Sequence, residues 1–317
     1  MPLNIVIKKN LEKDINEIFK QYLIDENLHY LDDDLCFFQY MNFIERSIHP
    51  KPRKVLEAST FYVPEKLKKS YEILKTKITE GLDINIYLSN RIFDTNYVDD
   101  LFNFEDLVHF HLGSELEIYE KNQKSVIKRS KELAIALVKD DCIIFLAIKN
   151  HEDEDIWNNS GYLDTLSEEF PNQIAYRELK ELSSDRLTDE EIENARKLGI
   201  NYTYQSSSNK CYSTIPVLLG TKAKGFKKSL KSSISRVRAK HSNQKIRLIY
   251  TLNHHVEDIK NEIVEKQNPG IYEIKLLKIL KMDQFLFQIK LIFNGNSETE
   301  IILKDDSMSI SFRGNSR

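Results

Sequence analysis

The segment ELAIALVKDDCIIFLAIK, residues 132–149, sets the terms for the fold. Two apolar runs of strand length, 132–138 and 142–149, flank the polar triplet Lys139-Asp140-Asp141, a hairpin signal without the favoured glycine. Towards the N-terminus, 107–112 reads as another short strand and 97–104 as a helix. Residues 83–88 alternate like a strand. Pro64 opens a helix that runs to Thr79 and is ended by Gly81. Residues 53–59 are extended, 33–47 and 10–26 are helices, and 3–8 alternate again; Leu11, Ile15, Ile18, Phe19, Tyr22 and Leu23 carry the helical spacing of the first. Towards the C-terminus, 161–170 is a helix stopped by Pro171. Thr188 and Glu191 then form a capping box. Strands follow at 200–205 and 211–218, a basic helix at 222–241, a strand at 246–251 and a helix near 254–266. The end is strand-rich, with strands at 272–280, 285–293, 298–303 and 308–312 and the turn Asn294-Gly295. No repeat of 20–50 residues is present. The expectation is an α+β protein of mixed sheets with flanking helices in two domains. The polar, turn-rich stretch 180–189 is the candidate boundary. It would separate 1–183 from 184–317, the second domain holding the basic helix and a C-terminal β-meander.

A chain of 317 residues with 41% apolar content is comfortable for two cores. Its 30% charge and mean hydropathy of −0.46 describe a wet surface. No run of about 18 apolar residues suggests a membrane span. The opening residues lack the apolar stretch and cleavage site of a signal peptide. Cys36, Cys142 and Cys211 are far apart and fit reduced thiols. A cytoplasmic location is expected.

Charge is segregated. Residues 194–256 contain no Asp or Glu but thirteen Lys and Arg, which leaves −16 on the rest of a chain whose net charge is −3. Such asymmetry speaks to partners, not to fold. Within 222–241 the apolar Phe226, Leu230, Ile234 and Val237 form one helical face. Lys224, Lys227, Lys228, Lys231 and Arg238, with Arg236, put cations beside it, and serines cover most of the remainder. Cations and hydroxyls both donate to phosphate oxygens, so nucleic acid, RNA or DNA, is the leading partner. Two alternatives stand beside it: docking on an acidic surface of this chain, a homo-oligomer or another protein, and adsorption to anionic membrane.

His109-Phe110-His111-Leu112-Gly113 is the second unusual feature. On a strand, residues two apart share a face, so His109 and His111 project together. Arg129 lies just before the hairpin and His151 just after it, which brings all four to one sheet edge. Two imidazoles and a guanidinium are the minimum set for metal-free RNA cleavage: one base, one acid and one cation on the phosphate. An ordinary imidazole pKa near 6.5 suits both proton-transfer roles. The same histidines with Glu152, Asp153 or Asp155 are also a possible metal set. The third reading is structural, with the rings satisfied in a polar sheet rim.

Residues 52–171 resemble an uncharacterised bacterial family, often found near mobile elements, whose members carry an H-x-H-L-G motif. Downstream that family has an Arg before a two-strand hairpin and a His closely followed by Trp, matched here by Arg129, His151 and Trp157. Leu88-Ser89 and Asp99-Asp100-Leu101 match a further polar pattern. The chain departs where members have Asp-Trp-Gly and an additional His: it has Phe104-Glu105-Asp106 and Val108. The resemblance implies no established activity. The hairpin 132–149 is also similar to the sheet of RelE/ParE-type toxins, a likeness of fold only.

Other signals are weaker. Asp258 with Glu273-Ile274-Lys275 has the separation of a restriction-type nuclease core, and Arg236 with His241 the loose spacing of some helical ribonucleases. P-loop, GxGxxG, GxSxG and HExxH motifs are absent from the sequence, and no cofactor is called for. The leading expectation is a nucleic-acid-interacting protein of bacterial toxin or phage-defence type, acting as a metal-independent ribonuclease. The alternative is a non-catalytic nucleic-acid-binding or protein-interaction component of a defence system.

Overall fold

The structure is a computed structural model that describes residues 5–153, 156, 160–180, 186–198, 202–213, 233–265, 270–281, 286–293 and 297–303. In chain order its elements begin with β1 (Ile5–Lys9), α1 (Leu11–Asp25), α2 (Cys36–Arg46), β2 (Lys54–Glu57), α3 (Lys68–Glu80) and α4 (Asp100–Glu105). Then come β3 (Leu107–His111), β4 (Leu116–Tyr119), β5 (Lys124–Ile127), β6 (Glu132–Val138) and β7 (Cys142–Asn150). The remainder is α5 (Gly161–Glu169), α6 (Pro171–Ile174), α7 (Asp189–Leu198), β8 (Thr203–Gln205), β9 (Cys211–Ser213), α8 (Ser233–Glu265), β10 (Gly270–Lys281), β11 (Leu286–Phe293) and β12 (Ser297–Leu303). The fold is α+β. Among the described residues no helix is long and apolar enough to cross a membrane.

Two compact units form, Met1–Met41 with Arg238–Arg317, and Asn42–Val237. The expected boundary at 183/184 lies within the second of these units, and the divisions fall inside α2 and inside α8. The cause is a long-range pairing. β1 runs parallel to β10, Ile5 opposite Gly270 through Lys9 opposite Ile274, and a parallel pair needs a crossover connection.

In the first unit the sheet order is β1-β10-β11-β12, the last three an antiparallel meander as expected. The expected strand at 308–312 and the turn Asn294-Gly295 lie outside the described residues. Asn10 caps α1 by accepting from the Lys13 amide at 3.3 Å. The helix buries Ile15, Phe19 and Leu23, with Phe19 edge-on to Phe37 at 4.8 Å. β1 stops pairing at Ile274, and beyond it the Leu276 N–H is taken by the Asp14 carboxylate of α1 at 2.9 Å. α8 is one helix of 33 residues that takes in the end of the expected basic helix and the helix near 254–266 and runs through 246–251, where a strand was expected; residues 222–232 of the basic helix lie outside the described residues. Its described buried residues His241, Lys245, Leu248, Leu252, the pair His255 and Val256, Ile259 and Ile263 recur every three or four positions, a helical stripe that outweighs the β-branched look of 246–251.

The second unit is built on the sheet β2-β7-β6-β3, with β2 parallel to β7 and the other pairs antiparallel. Both faces are covered, which explains why residues 132–149 are apolar without alternation. One face packs Leu133, Ile135, Leu137 and Ile144 against Tyr162, Leu163 and Leu166 of α5 and Ile174 of α6. On the other, Phe145 meets Phe110 at 5.9 Å and Tyr71 of α3 at 5.1 Å. Ile135 pairs with Ala147 and Ala136 with Phe145, so Leu146 is the extra residue of a bulge in β7. Gly81 ends α3 at φ 74° as the turn chemistry requires, and Thr188 and Glu191 exchange the hydrogen bonds of a capping box. Residues 83–88 form no strand: Asn85–Tyr87 is a 3-10 turn, shaped by Asn85 bonding the backbone of Ile48. The β4–β5 hairpin was not legible in the sequence. Cys36, Cys142 and Cys211 are buried, and no disulfide joins them.

Candidate functional site

β3 is an edge strand, and its register with β6 places His111 opposite Leu133 and His109 opposite Ile135. Alternation puts both rings on one face, 5.7 Å apart between centroids and edge-on at 74°. The chain then leaves through Leu112 and Gly113. A β-carbon on Gly113 would collide with the Lys128 carbonyl oxygen, so glycine is what lets β5 return against the end of β3. That return delivers Arg129. The ladder continues past Asn150 with the His151 N–H donating to the Lys131 carbonyl at 2.6 Å, which carries His151 to the same end of the sheet. Arg129 and His151 are exposed, while His109 and His111 are 9% and 3% exposed. The four residues singled out by the sequence therefore gather at one end of this sheet.

The turn Asn90–Phe93 completes the surroundings. Arg129 donates to Asn90 Oδ1 at 2.7 Å, and Arg91 lines a small cavity with His109, Ser89, Tyr97, Asp99 and Phe102. Arg46, at the end of α2, is buried and donates to the carbonyls of Asn42 (3.0 Å), Arg91 (3.0 Å), Ile92 (3.2 Å) and Asp94 (2.8 Å). Its fork of donors thus holds the turn that presents Arg91. Burial lowers its pKa to about 10, against the pull of Asp99 and Asp94. Arg46 and Arg91 were not found from the sequence, since no spacing links the end of one helix to a turn so far along the chain.

Burial pushes His109 down to about 4, helped by the charges of His151, Arg129 and Arg91. His111 is also pushed down to about 4, again chiefly by burial, while a hydrogen bond with the Ser130 backbone opposes the shift. This corrects the expectation that both rings titrate near 6.5: they stand neutral at physiological pH. Burial disfavours the charged form of each, so neither carries an extra proton to give. Asp99 is raised by burial, opposed by the Phe102 amide and by Arg46 and Arg91.

Among the described residues no group of three or more His, Cys, Asp or Glu is arranged to hold a metal ion; Asp155 lies outside them, as does Trp157. Of the proposed nucleic-acid contacts, Lys224, Lys227, Lys228 and Lys231 also lie outside the described residues, and Arg236 and Arg238 fall within α8. Comparisons of the chain with protein-family models, curated proteins and solved structures returned no match.

Proposed function

We propose that the chain is a nucleic-acid-acting protein of toxin or phage-defence type whose second unit cleaves RNA without a metal. One observation carries this reading. The paired His109 and His111 rings, 5.7 Å apart, sit beside Arg129, Arg91 and His151, whose charges act on His109. Such a field favours an anion, and a phosphodiester is the anion that needs imidazoles. A neutral ring of the pair takes the proton from a 2′-hydroxyl. The freed 2′-oxygen bonds to phosphorus, the bond from phosphorus to the 5′-oxygen breaks, and His151 supplies the leaving oxygen with a proton. Arg129 and Arg91 face the charge that builds on the phosphate. Products are a 2′,3′-cyclic phosphate and a 5′-hydroxyl. The basic segment 194–256 supplies attraction for the polyanion.

The test is RNA cleavage with a chelator present. His109→Ala and His151→Ala should each lower the rate by about 100-fold or more. RNA left intact at high protein concentration, with binding retained, overturns the catalytic reading. It would favour instead the non-catalytic binding component, a reading supported by the depth at which His109 and His111 are buried.

A further inference from the structure

The segment without acidic residues extends well into α8, and that helix has two different faces. One is the buried stripe of Leu248, Leu252 and Val256. The other carries Asn243, Arg247, Tyr250 and His254 at successive turns, all exposed. Tyr250 is 74% exposed and the neighbouring Ile246 63%. The first acidic residues after the stripe begins are Glu257 and Asp258, the latter 4.0 Å from His254. An aromatic ring standing in solvent gains nothing from the core, and its neighbours along the stripe are a guanidinium, an imidazole and an amide. This is the equipment of a single-strand surface: cations track the backbone while an aromatic face stacks on an unpaired base. Cations alone would suit a duplex equally; the tyrosine is what selects a strand whose bases are open.

We propose that the Arg247–Tyr250–His254 face of α8 binds single-stranded nucleic acid, with Arg247 on phosphate and Tyr250 stacked on a base. This rests on the nucleic-acid reading for its class of partner but not on cleavage by His109. Anisotropy of labelled 12-nucleotide oligouridine, the corresponding DNA and a duplex of equal length would be measured with the full chain across salt concentrations. Tyr250→Ala should weaken single-strand binding by roughly 5- to 100-fold and leave duplex binding unchanged, and Tyr250→Phe should restore it. Arg247→Ala should reduce the log–log salt slope by about 0.7. Both positions are exposed, and unchanged melting of the variants would verify their fold. Photocrosslinking with 4-thiouridine RNA separates this proposal from the catalytic one. Crosslinks at 247–254 without any cleavage keep the α8 surface and remove the nuclease. Crosslinks confined to the peptides of His109 and Arg129, or unaltered affinity in Tyr250→Ala, overturn the α8 surface alone. No binding of any oligonucleotide overturns both. Self-association abolished by Tyr250→Ala with RNA binding intact overturns the proposal in favour of a protein interface.

Discussion

Arg46 shows how one side chain can hold a site it does not enter. Four carbonyls, of Asn42, Arg91, Ile92 and Asp94, depend on its guanidinium. Arg46→Ala would remove all four bonds, leaving Arg91 and Asp94 only the amides of Asp94 and Tyr97, and a loss of about 3 kcal/mol is expected in thermal or denaturant unfolding. Arg46→Lys should recover only part of it, because an ammonium lacks the planar fork. His109 and His111 make a second prediction at this scale. Their folded values of about 4 lie below the ordinary 6.5. Between those values the unfolded chain binds protons that the folded chain refuses, so stability falls as pH drops from 6.5 to 4 and levels off below. The loss is on the order of a few kcal/mol for the pair. Urea midpoints from pH 7 to pH 4 should trace it, and His111→Gln should shrink the acid limb; a limb of undiminished size would count against the buried, neutral pair.

At the scale of elements, α8 offers a sharp comparison. Were 246–251 a strand, Leu248 and Tyr250 would lie on one face and truncating either would have similar effects. In the helix they lie apart: Leu248 is fully buried and Tyr250 exposed. Leu248→Ala should therefore cost about 2–4 kcal/mol, and Tyr250→Ala within about 0.5 kcal/mol of nothing, by denaturant unfolding. Equal costs would contradict the single helix. The β3–β4 junction depends on Gly113 in the same concrete way. Gly113→Ala drives a methyl into the Lys128 carbonyl, and a destabilisation of about 1–3 kcal/mol is expected, measured by denaturant unfolding. Both cases show why these elements were only partly legible. The run Ile246–Tyr250 satisfies two periodicities, and the one that wins is set by what packs beside it.

For the whole molecule, the decisive contact joins the two ends of the chain. β1 supplies β10 with its parallel neighbour, so deleting residues 1–10 should speed hydrogen exchange in β10 and β11 while the β6 and β7 amides keep their protection. Equal loss in both sheets would show that the units do not unfold separately. Much of this protein was determined by the sequence alone, wherever the cause is local. The apolar runs around Lys139-Asp140-Asp141 make β6 and β7, Gly81 ends α3 in the left-handed region, Thr188 with Glu191 starts α7, and the two-residue spacing of His109 and His111 puts them on one face. Sterics, hydrogen bonds within a turn and side-chain alternation act over a few residues and are written in the order of the chain. The tertiary structure alone decided that β1 belongs with β10, that Arg46 holds the Arg91 turn, and that both imidazoles stand neutral. Loop-closure entropy grows only slowly with separation, so distance along the chain does not by itself pick a partner, and the burial that lowers an imidazole's pKa exists only once partners have met.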